Sequence, residues 1–390
     1  MADNTLIEWT DATWNPITGC KIVSPGCTNC YAMKLAGTRL KHVDSRAGLT
    51  IDTKGGPVWN GQTRFNEAEL LKPLRWKRPR RIFVCAHGDL FAESVPDEWI
   101  DRVFAVMALS PQHTFQVLTK RAARMKAYCS TLLDETEQDT ARRFAAVWPK
   151  PALVPADGLM IPLPNVWLGV SAEDQTRADE RIPDLLATPA AIRFVSAEPL
   201  LGSIDFTAIP LEGIALGGRR ISVGDFNVEM WNAYEGGRSD FVPVRSALGG
   251  DIENHFNWGA LDWIIVGGES GQGARPMHPD WPRQIRDQCA SAGVAFFFKQ
   301  WGTWLPMGAN PAQGWWHNET KQHQQADLPT SKFLGSFCAL GNEGELIRLH
   351  GPAETKMVGD NHLPCLRVGK KHAGRLLDGI EHSAMPEARP

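Results

Sequence analysis

The chain has 390 residues, of which 43% are hydrophobic and 22% are charged, and its formal net charge is −3. This composition is typical of a globular protein large enough for one elaborated domain or two. A run of about eighteen apolar residues and a signal-peptide pattern are both lacking, so we expect neither a membrane span nor a secretory leader. We therefore expect a cytoplasmic, reducing setting, where clustered cysteines more often bind metal or do chemistry than form disulfides.

Seven short apolar, β-branched runs alternate with amphipathic segments along most of the chain. The expected strands are ATWNPITG (12–19), RIFVCAH (81–87), TFQVLTK (114–120), VWLGVSAE (166–173), IRFVSAE (192–198), LDWIIVGGES (261–270) and VAFFFKQ (294–300). The clearest expected helices are 96–109, 180–189 and 280–293. Continuous apolar runs suit strands buried on both faces, and strand–helix alternation indicates a parallel sheet. The sequence predicts an α/β fold, a partial, TIM-like (β/α) barrel of about six to seven parallel strands.

Two regions interrupt the alternation. Residues 205–258 are rich in Gly, Asn and Asp and indicate an insertion over one rim, partly strand. From about 303 the alternation stops, which divides the chain into a barrel of residues 1–302 and a C-terminal extension of residues 303–390. Within the extension we expect a strand at GELIRLH (344–350) and a closing helix at GKKHAGRLLDGIEH (369–382).

Polar or small residues follow almost every expected strand. In a parallel barrel all carboxyl ends of the strands open on one face, where active sites are built. The sequence therefore predicts a shared pocket at this face. Its candidate residues are Asp89, Lys120, Ser171, Glu173, Glu198, Gly267, Gly268 and Glu269.

A basic segment, LKPLRWKRPRRIF (71–83), carries six Lys and Arg residues around one Trp. Basic residues interleaved with aromatic ones can bind nucleic acid. This segment precedes a strand, however, so we expect it at the opposite rim from the pocket, as a solvated surface.

Three of the eight cysteines, Cys20, Cys27 and Cys30, lie on one loop after the first expected strand. Three thiolates can hold a four-iron, four-sulfur (4Fe-4S) cluster whose fourth iron stays open to a ligand. A zinc site of three cysteines and one histidine, His42 or His87, is the alternative. Cys85, at the end of the second strand, is either a hydrogen-atom donor or a buried apolar thiol. Cys129, Cys289, Cys338 and Cys365 are expected to be structural.

The cysteine loop at the start of a partial barrel resembles the radical S-adenosylmethionine superfamily. The usual spacing there leaves three residues and then two between the cysteines, whereas this chain leaves six and then two, with Asn29 before the last cysteine. The motifs WNPITGC…GCTNCYA, VSAEPLLG, IIVGGESG and FFFKQWG are more closely similar to a phage- and prophage-associated family with a three-cysteine motif. Members of that family are largely of undetermined function. The resemblance covers at least residues 5–305.

A further similarity, through VLTKR, is to the spore photoproduct lyase branch. It implies that Lys120 pairs with the methionine carboxylate of S-adenosylmethionine, with Ser171 and Asp89 close by. Glu173, Glu198 and Glu269 would hold ribose hydroxyls or a polar substrate. Gly267 and Gly268 would let the cofactor approach the backbone.

The superfamily resemblance implies a radical enzyme with two cofactors, a 4Fe-4S cluster and S-adenosylmethionine. Reductive cleavage of S-adenosylmethionine gives a 5′-deoxyadenosyl radical, which abstracts a hydrogen atom from a substrate. The phage association favours a nucleobase, a nucleotide or DNA as that substrate, and the electron donor would be a reductase, a flavodoxin or a ferredoxin. Two alternatives stay open: a zinc-loop nucleic-acid-binding protein, and a nuclease or hydrolase that holds divalent ions on Asp89, Glu173, Glu198 and Glu269.

Overall fold

The computed structural model describes residues 5–145, 159–210, 219–221, 241–245, 260–306, 337–341, 343–349 and 362–387. Its centre is a seven-stranded sheet in which the strands follow one another in chain order and every neighbouring pair is parallel. The strands are β1 (Ala12–Trp14), β2 (Arg81–Val84), β3 (Thr114–Thr119), β4 (Val166–Ser171), β5 (Ile192–Ala197), β6 (Trp263–Gly267) and β7 (Ala295–Gln300). The sheet curls into a half-barrel surrounded by helices, so the predicted partial α/β barrel is confirmed.

Helices follow most of these strands. They are α1 (Tyr31–Gly37), α2 (Glu67–Leu70), α3 (Asp97–Ala108), α4 (Ala122–Asp134), α5 (Glu137–Ala145), α6 (Gln175–Ala187), α7 (Asp280–Ala292) and α8 (Lys370–Ala373). The expected helix at 180–189 begins earlier, because the side chain of Asp174 accepts a hydrogen bond from the backbone N–H of Arg177 and caps α6. None of the helices in the described ranges is long and apolar enough to cross a membrane.

Two hydrophobic clusters cover the two faces of the sheet. The larger cluster contains the buried apolar residues of α3, α4, α6 and α7, and it therefore lies on the convex face. The smaller cluster contains no helical residue and takes alternate strand positions, so it fills the concave face. We call this second cluster the aromatic plug. Its large members are Trp9, Phe83, Trp167, Phe194, Trp263 and Phe297.

Short antiparallel strands decorate the half-barrel. Ile17–Thr18 pairs with Arg64–Phe65, and Thr50–Thr53 pairs with Gly56–Trp59. In the insertion the described strands are Ile209–Pro210, Arg219–Ile221 and Phe241–Arg245, and they form one small sheet. The expected strand content of the insertion is therefore confirmed there, while most of 205–258 lies outside the described residues. The strands Trp304–Pro306, Phe337–Gly341, Leu346–Leu349 and His362–Arg367 form the sheet of the C-terminal extension.

The expected closing helix at 369–382 is wrong. Only α8 is helical there, and Leu376–Leu377 and Ile380–Glu381 form a hairpin instead. Gly374 has φ +72°, and the turn residues Asp378 and Gly379 have φ of 54° and 81°. Left-handed backbone at both central turn positions is the geometry of a two-residue hairpin turn, which an Asp-Gly pair favours.

The chain then returns to the half-barrel and covers the free edge of β7. Phe298 donates its N–H to the carbonyl of His382 at 2.9 Å, and Ala384 donates its N–H to the carbonyl of Phe296 at 3.3 Å. Ser383 forms an antiparallel bridge with Phe297 between them. Residues 382–384, which we call the strap, thus protect one edge of the open sheet.

The four cysteines that we expected to be structural are buried and free in the convex cluster. Cys129 lies on α4 and Cys289 lies on α7. Cys338 and Cys365 are not scattered, however. They are direct register partners on adjacent antiparallel strands of the extension.

Candidate active site

The three cysteines lie on one loop above the carboxyl ends of the strands. This cysteine loop, residues 19–30, leaves the short strand Ile17–Thr18 through Gly19, which has φ +92° and forms a parallel bridge with Gly88 after β2. A Cβ on Gly19 would lie 2.3 Å from the carbonyl oxygen of Gln62. Only glycine suits both the left-handed backbone and this close approach.

Local turns fix the positions of Cys27 and Cys30. Pro25–Cys27 form a short 3-10 helix, in which Cys27 donates its N–H to the carbonyl of Ser24 at 3.0 Å. Cys30 follows at once and caps the start of α1, and its N–H donates to the carbonyl of Cys27 at 3.2 Å. The loop therefore enters α1 directly from its last cysteine.

Neighbouring thiols affect the pKa values of Cys20 and Cys30. Burial raises the pKa of the Cys20 thiol to about 12, and the negative charges of Asp89, Cys30 and Cys27 contribute to that increase. Burial also raises the pKa of Cys30, which the charge of Cys27 raises further and that of Lys120 lowers. Cys27 is buried and Cys20 and Cys30 are half-buried, so holding all three as thiolates would require compensating positive charge, such as a metal centre supplies.

Arg121 ties the beginning of the loop to the end of β3. One of its guanidinium nitrogens donates to Cys20 Sγ at 3.5 Å, and the other donates to the carbonyl of Lys21 at 3.0 Å. The guanidinium is held in turn by Asp89, at 3.1 Å between Nη1 and Oδ2. Asp89 also accepts hydrogen bonds from Thr119 Oγ1, at 2.7 Å, and from two backbone N–H groups. The carboxylate of Asp89 is thus committed to protein donors.

Glu173 ties the middle of the loop to the end of β4. Its side chain is fully buried, and Oε1 accepts the N–H of Gly26 at 3.0 Å while Oε2 accepts from Arg181 at 3.0 Å. Burial alone would raise the pKa of this carboxyl group. Lys120 and Arg181, together with hydrogen bonds from Ser24 and Gly26, outweigh that effect and lower the pKa to about 2.

Glu269 ties the last part of the loop to the end of β6. Its Oε2 accepts from Asn29 Nδ2 at 3.0 Å, and both of its oxygens accept from Arg275, at 2.6 Å for Oε1. Asn29 also donates to the carbonyl of Gly273 at 2.7 Å and accepts from Lys34 Nζ at 3.0 Å. The asparagine that departs from the superfamily pattern is therefore the anchor of this part of the loop.

Small and charged side chains occupy the concave face between the aromatic plug and the cysteine loop. Strand alternation places Ser171 and Ser196 on this face, opposite each other in register. Both residues are buried, and the backbone carbonyl of Ser171 accepts a hydrogen bond from Arg181 at 2.7 Å. Lys120 Nζ lies 3.8 Å from Glu173 Oε2, and Lys299 Nζ lies 2.8 Å from Glu198 Oε1. Ser196 and Lys299 were not among our candidate residues. Both follow inward-facing aromatic residues, in SAE and FFFKQ, and this position was the available sequence signal that they face the concave side.

The two glycines after β6 make room for protein atoms. A Cβ on Gly267 would lie 3.1 Å from Glu198 Oε1. A Cβ on Gly268 would lie only 2.0 Å from the carbonyl oxygen of Trp301. In the described structure the approaching atoms belong to the chain itself, and the expected approach of a cofactor stays a prediction.

Cys85 does not face the concave side. It has φ +55°, which interrupts the alternation of β2, and its side chain packs in the convex cluster while Ala86 joins the plug. Burial raises the pKa of its thiol to about 12. This environment is that of a buried apolar thiol.

In the described ranges, no group of three His, Cys, Asp or Glu side chains is placed to hold one metal ion. In an iron–sulfur cluster the cysteine ligands bind different irons, so their sulfur atoms need not converge on one point. His42 is exposed, and His87 packs its ring edge-on against Tyr31 at 5.9 Å.

The basic segment lies at the other end of the half-barrel, as its position before β2 indicates. Arg81 pairs with Asp11, which precedes β1, at 2.9 Å. The Arg80 guanidinium stacks over the ring of Trp76 at 4.9 Å. The amino ends of the strands thus carry this segment, away from the cysteine loop.

Comparison with known proteins gives one match. No curated protein matches the chain, and no solved structure matches it. The family model described as "Protein of unknown function (DUF5131)" matches residues 4–386. Because this match spans nearly the whole chain, the protein belongs to the DUF5131 family.

Proposed function

We propose that the protein is a radical S-adenosylmethionine enzyme in which Cys20, Cys27 and Cys30 hold a 4Fe-4S cluster. One observation carries the proposal: three free thiols stand on a single loop over the carboxyl ends of a parallel half-barrel. Active sites of such barrels are built at that face. Bound together, the cluster and S-adenosylmethionine supply a 5′-deoxyadenosyl radical that abstracts hydrogen from a carbon.

The side chains of this chain would bind and orient the cofactor and substrate on the concave face. Lys120 offers a cation to a carboxylate and is only 15% exposed. Ser171 and Ser196 offer two neighbouring hydroxyl groups on this face. Glu198 with Lys299 offers an acceptor and a donor for a polar substrate. The aromatic plug beneath them excludes water from the sheet side.

Three of the residues expected to bind cofactor take a supporting role in this proposal. The carboxylate of Asp89 binds Arg121, that of Glu173 binds the cysteine loop and that of Glu269 binds Asn29. Gly267 and Gly268 serve close packing, and Cys85 serves the convex core. Lys120, Ser171 and Glu198 remain the proposed ligand-binding residues.

The proposal extends to partners and location through the resemblance found in the sequence. The substrate would be a nucleobase, a nucleotide or DNA, and the electron donor a reductase or a flavodoxin- or ferredoxin-type protein. A cytoplasmic location would keep the three thiols reduced.

The nuclease or hydrolase alternative requires carboxylates that are free to bind divalent ions. Each candidate carboxylate instead has its own cation: Asp89 has Arg121, Glu173 has Arg181, Glu198 has Lys299 and Glu269 has Arg275. These pairs lower the negative potential that would attract a divalent ion. The zinc-loop alternative remains a distinct outcome of the experiment below.

The test is anaerobic reconstitution with iron and sulfide, followed by metal and sulfide analysis and an absorption spectrum. We expect about four irons and about four sulfides per chain, with visible absorption that dithionite bleaches. Addition of S-adenosylmethionine and reductant should then produce 5′-deoxyadenosine.

Cys27→Ala should lose both the cluster and 5′-deoxyadenosine formation. The matched control is Cys129→Ala, which removes a buried thiol from α4 on the convex side. A colourless protein with one zinc per chain would replace the proposal with the zinc-loop alternative. An iron-loaded protein that leaves S-adenosylmethionine intact would refute the radical chemistry.

A further inference from the structure

We propose that Arg121, Glu173 and Glu269 are positioning residues that hold the cysteine loop by three separate ties, one for each cysteine. The identity of the bound cluster rests on the proposed function. The ties themselves are properties of the metal-free chain and can be tested without any metal.

The first tie fixes Cys20. Arg121 contacts the thiol itself and the next carbonyl, at 3.5 Å and 3.0 Å. Its guanidinium is almost completely buried and is shared with Asp89 and Glu93. Because Asp89 bonds to the backbone after β3, the position of Cys20 is set by the ends of β2 and β3.

The second tie fixes Cys27 through its neighbour. The N–H of Gly26 donates to Glu173 Oε1 at 3.0 Å, and the carboxylate is packed so closely that a Cβ on Gly26 would lie 3.0 Å from Glu173 Cδ. The 3-10 helix transmits this position to Cys27. Cys27 therefore takes its place from the end of β4.

The third tie fixes Cys30 through Asn29. The amide of Asn29 donates to Glu269 and to the carbonyl of Gly273, so it is held by two acceptors on the segment after β6. Arg275, which binds Glu269, also donates to the carbonyl of Pro25 at 3.1 Å. Cys30 therefore takes its place from the end of β6.

Because the ties arise from different strands, each should act on its own cysteine. A merely structural residue would loosen the whole molecule and expose all cysteines together. The six-residue gap between Cys20 and Cys27 leaves the exposed stretch Lys21–Val23 between the first and second ties. Separate anchors on both sides of this stretch compensate for its length.

The test measures alkylation rates of each cysteine by mass spectrometry in the reduced, metal-free protein. Three variants address one tie each: Arg121→Lys, Gly26→Ala and Asn29→Asp. Gly26→Ala places a Cβ 3.0 Å from Glu173 Cδ, so the loop and the carboxylate must shift apart by a few tenths of an ångström, without any change of charge. Asn29→Asp keeps the shape of the side chain and places a carboxylate against Glu269 and the Gly273 carbonyl.

Each variant should accelerate alkylation of its own cysteine about tenfold, as the loss of one charge-assisted hydrogen bond permits. The cysteine affected should be Cys20 for Arg121→Lys, Cys27 for Gly26→Ala and Cys30 for Asn29→Asp. The other two cysteines of the loop should change less than about twofold. The matched control is Gly55→Ala, because a Cβ there meets only Thr53 Oγ1 at 3.8 Å.

Cys129 and Cys289 report global opening within the same experiment, since both are buried in the convex cluster on α4 and α7. Equal acceleration of all cysteines, or wild-type rates at all three, would overturn the proposal. Iron and sulfide binding by the same variants forms a second measurement. If each variant accelerates alkylation of its own cysteine while the wild-type chain binds no iron, the ties would be supported and the cluster refuted.

Discussion

At the scale of single residues, the acidic side chains at the strand ends show how a buried charge comes to support a site. Glu173 is fully buried yet keeps a pKa of about 2, because Lys120 and Arg181 balance its charge. A buried carboxylate without such partners would become neutral. The same ion pairs that keep it charged also hold it in place, and the cysteine loop is bonded to it.

We predict that Glu173 contributes to stability in a pH-dependent manner. Its folded-state pKa of about 2 lies below the ordinary value of 4.5, so its contribution is present above about 4.5 and is lost as the pH falls toward 2. Each pKa unit corresponds to about 1.4 kcal/mol, which gives about 3 kcal/mol at neutral pH. Urea unfolding of the wild type and Glu173→Gln should therefore differ by about 3 kcal/mol at pH 7 and by less than half of that near pH 3.

The matched control for that comparison is Glu93→Gln. Glu93 also pairs with Arg121, but its side chain is 58% exposed, so little stability depends on it. A difference between wild type and Glu173→Gln that stays constant from pH 7 to pH 3 would contradict the assigned pKa.

The sequence located these residues but could not assign their roles. The polar endings after the strands are visible in the chain, and the structure brings Lys120, Glu173, Glu198 and Glu269 to one face. Whether a carboxylate meets a ligand or the protein depends on contacts such as Asn29–Glu269, which join residues 240 positions apart. A periodic pattern contains no information on such distant partners. Cys85 shows the same limit, since its positive φ turns it away from the face that alternation predicts.

At the scale of elements, the alternation of residues along the strands places the aromatic plug, and the plug in turn sets how deep the concave site is. The inward positions carry large rings near the amino ends of β4, β5 and β6 and small residues near their carboxyl ends. Gly169 is the exception within the plug layer, and it faces Phe194 in register. The missing side chain makes space for that ring.

We predict that Gly169→Ala destabilises the protein by about 1–3 kcal/mol. A Cβ there would lie 2.6 Å from two carbons of the Phe194 ring, which would have to move within a packed cluster. Urea unfolding measures the loss, and the near-ultraviolet circular dichroism of the plug tryptophans reports the displaced ring.

A double-mutant cycle with Phe194→Leu identifies the cause. The smaller side chain removes the clash, so the cost of Gly169→Ala should be much smaller in the Phe194→Leu background than in the wild type. Strictly additive costs would show that Gly169 is required for some reason other than the ring of Phe194.

The strands of the half-barrel could be predicted from sequence because each is a continuous apolar run with a fixed neighbour. All seven observed strands fall within the expected segments, and five of them cover most of their segment. The strand β6 covers half of 261–270, and β1 is shorter still, ending two residues before Pro16. The hairpin at 376–381 was mistaken for a helix because LLDGIE suits either periodicity. The left-handed backbone of Asp378 and Gly379 makes this segment a hairpin, and the Asp-Gly dipeptide was the available sequence signal for it.

At the scale of the whole molecule, an open half-barrel has two free edges, and the strap covers one of them. Exposed edges of parallel sheets can pair with other chains. The strap places two backbone hydrogen bonds on β7, and the carbonyl of Ala384 also accepts Trp263 Nε1 at 2.9 Å. The last described residues of the chain thus help to hold the aromatic plug at its core.

We predict that removal of residues 382–390 both destabilises the protein and makes it self-associate. Three lost hydrogen bonds at about 1 kcal/mol each amount to about 3 kcal/mol, so Tm should fall by at least several degrees. The newly exposed β7 edge should give concentration-dependent dimers or larger species in light scattering. Removal of residues 388–390 alone is the matched control and should leave both properties unchanged. A monomer with wild-type Tm after the longer truncation would show that the strap is dispensable.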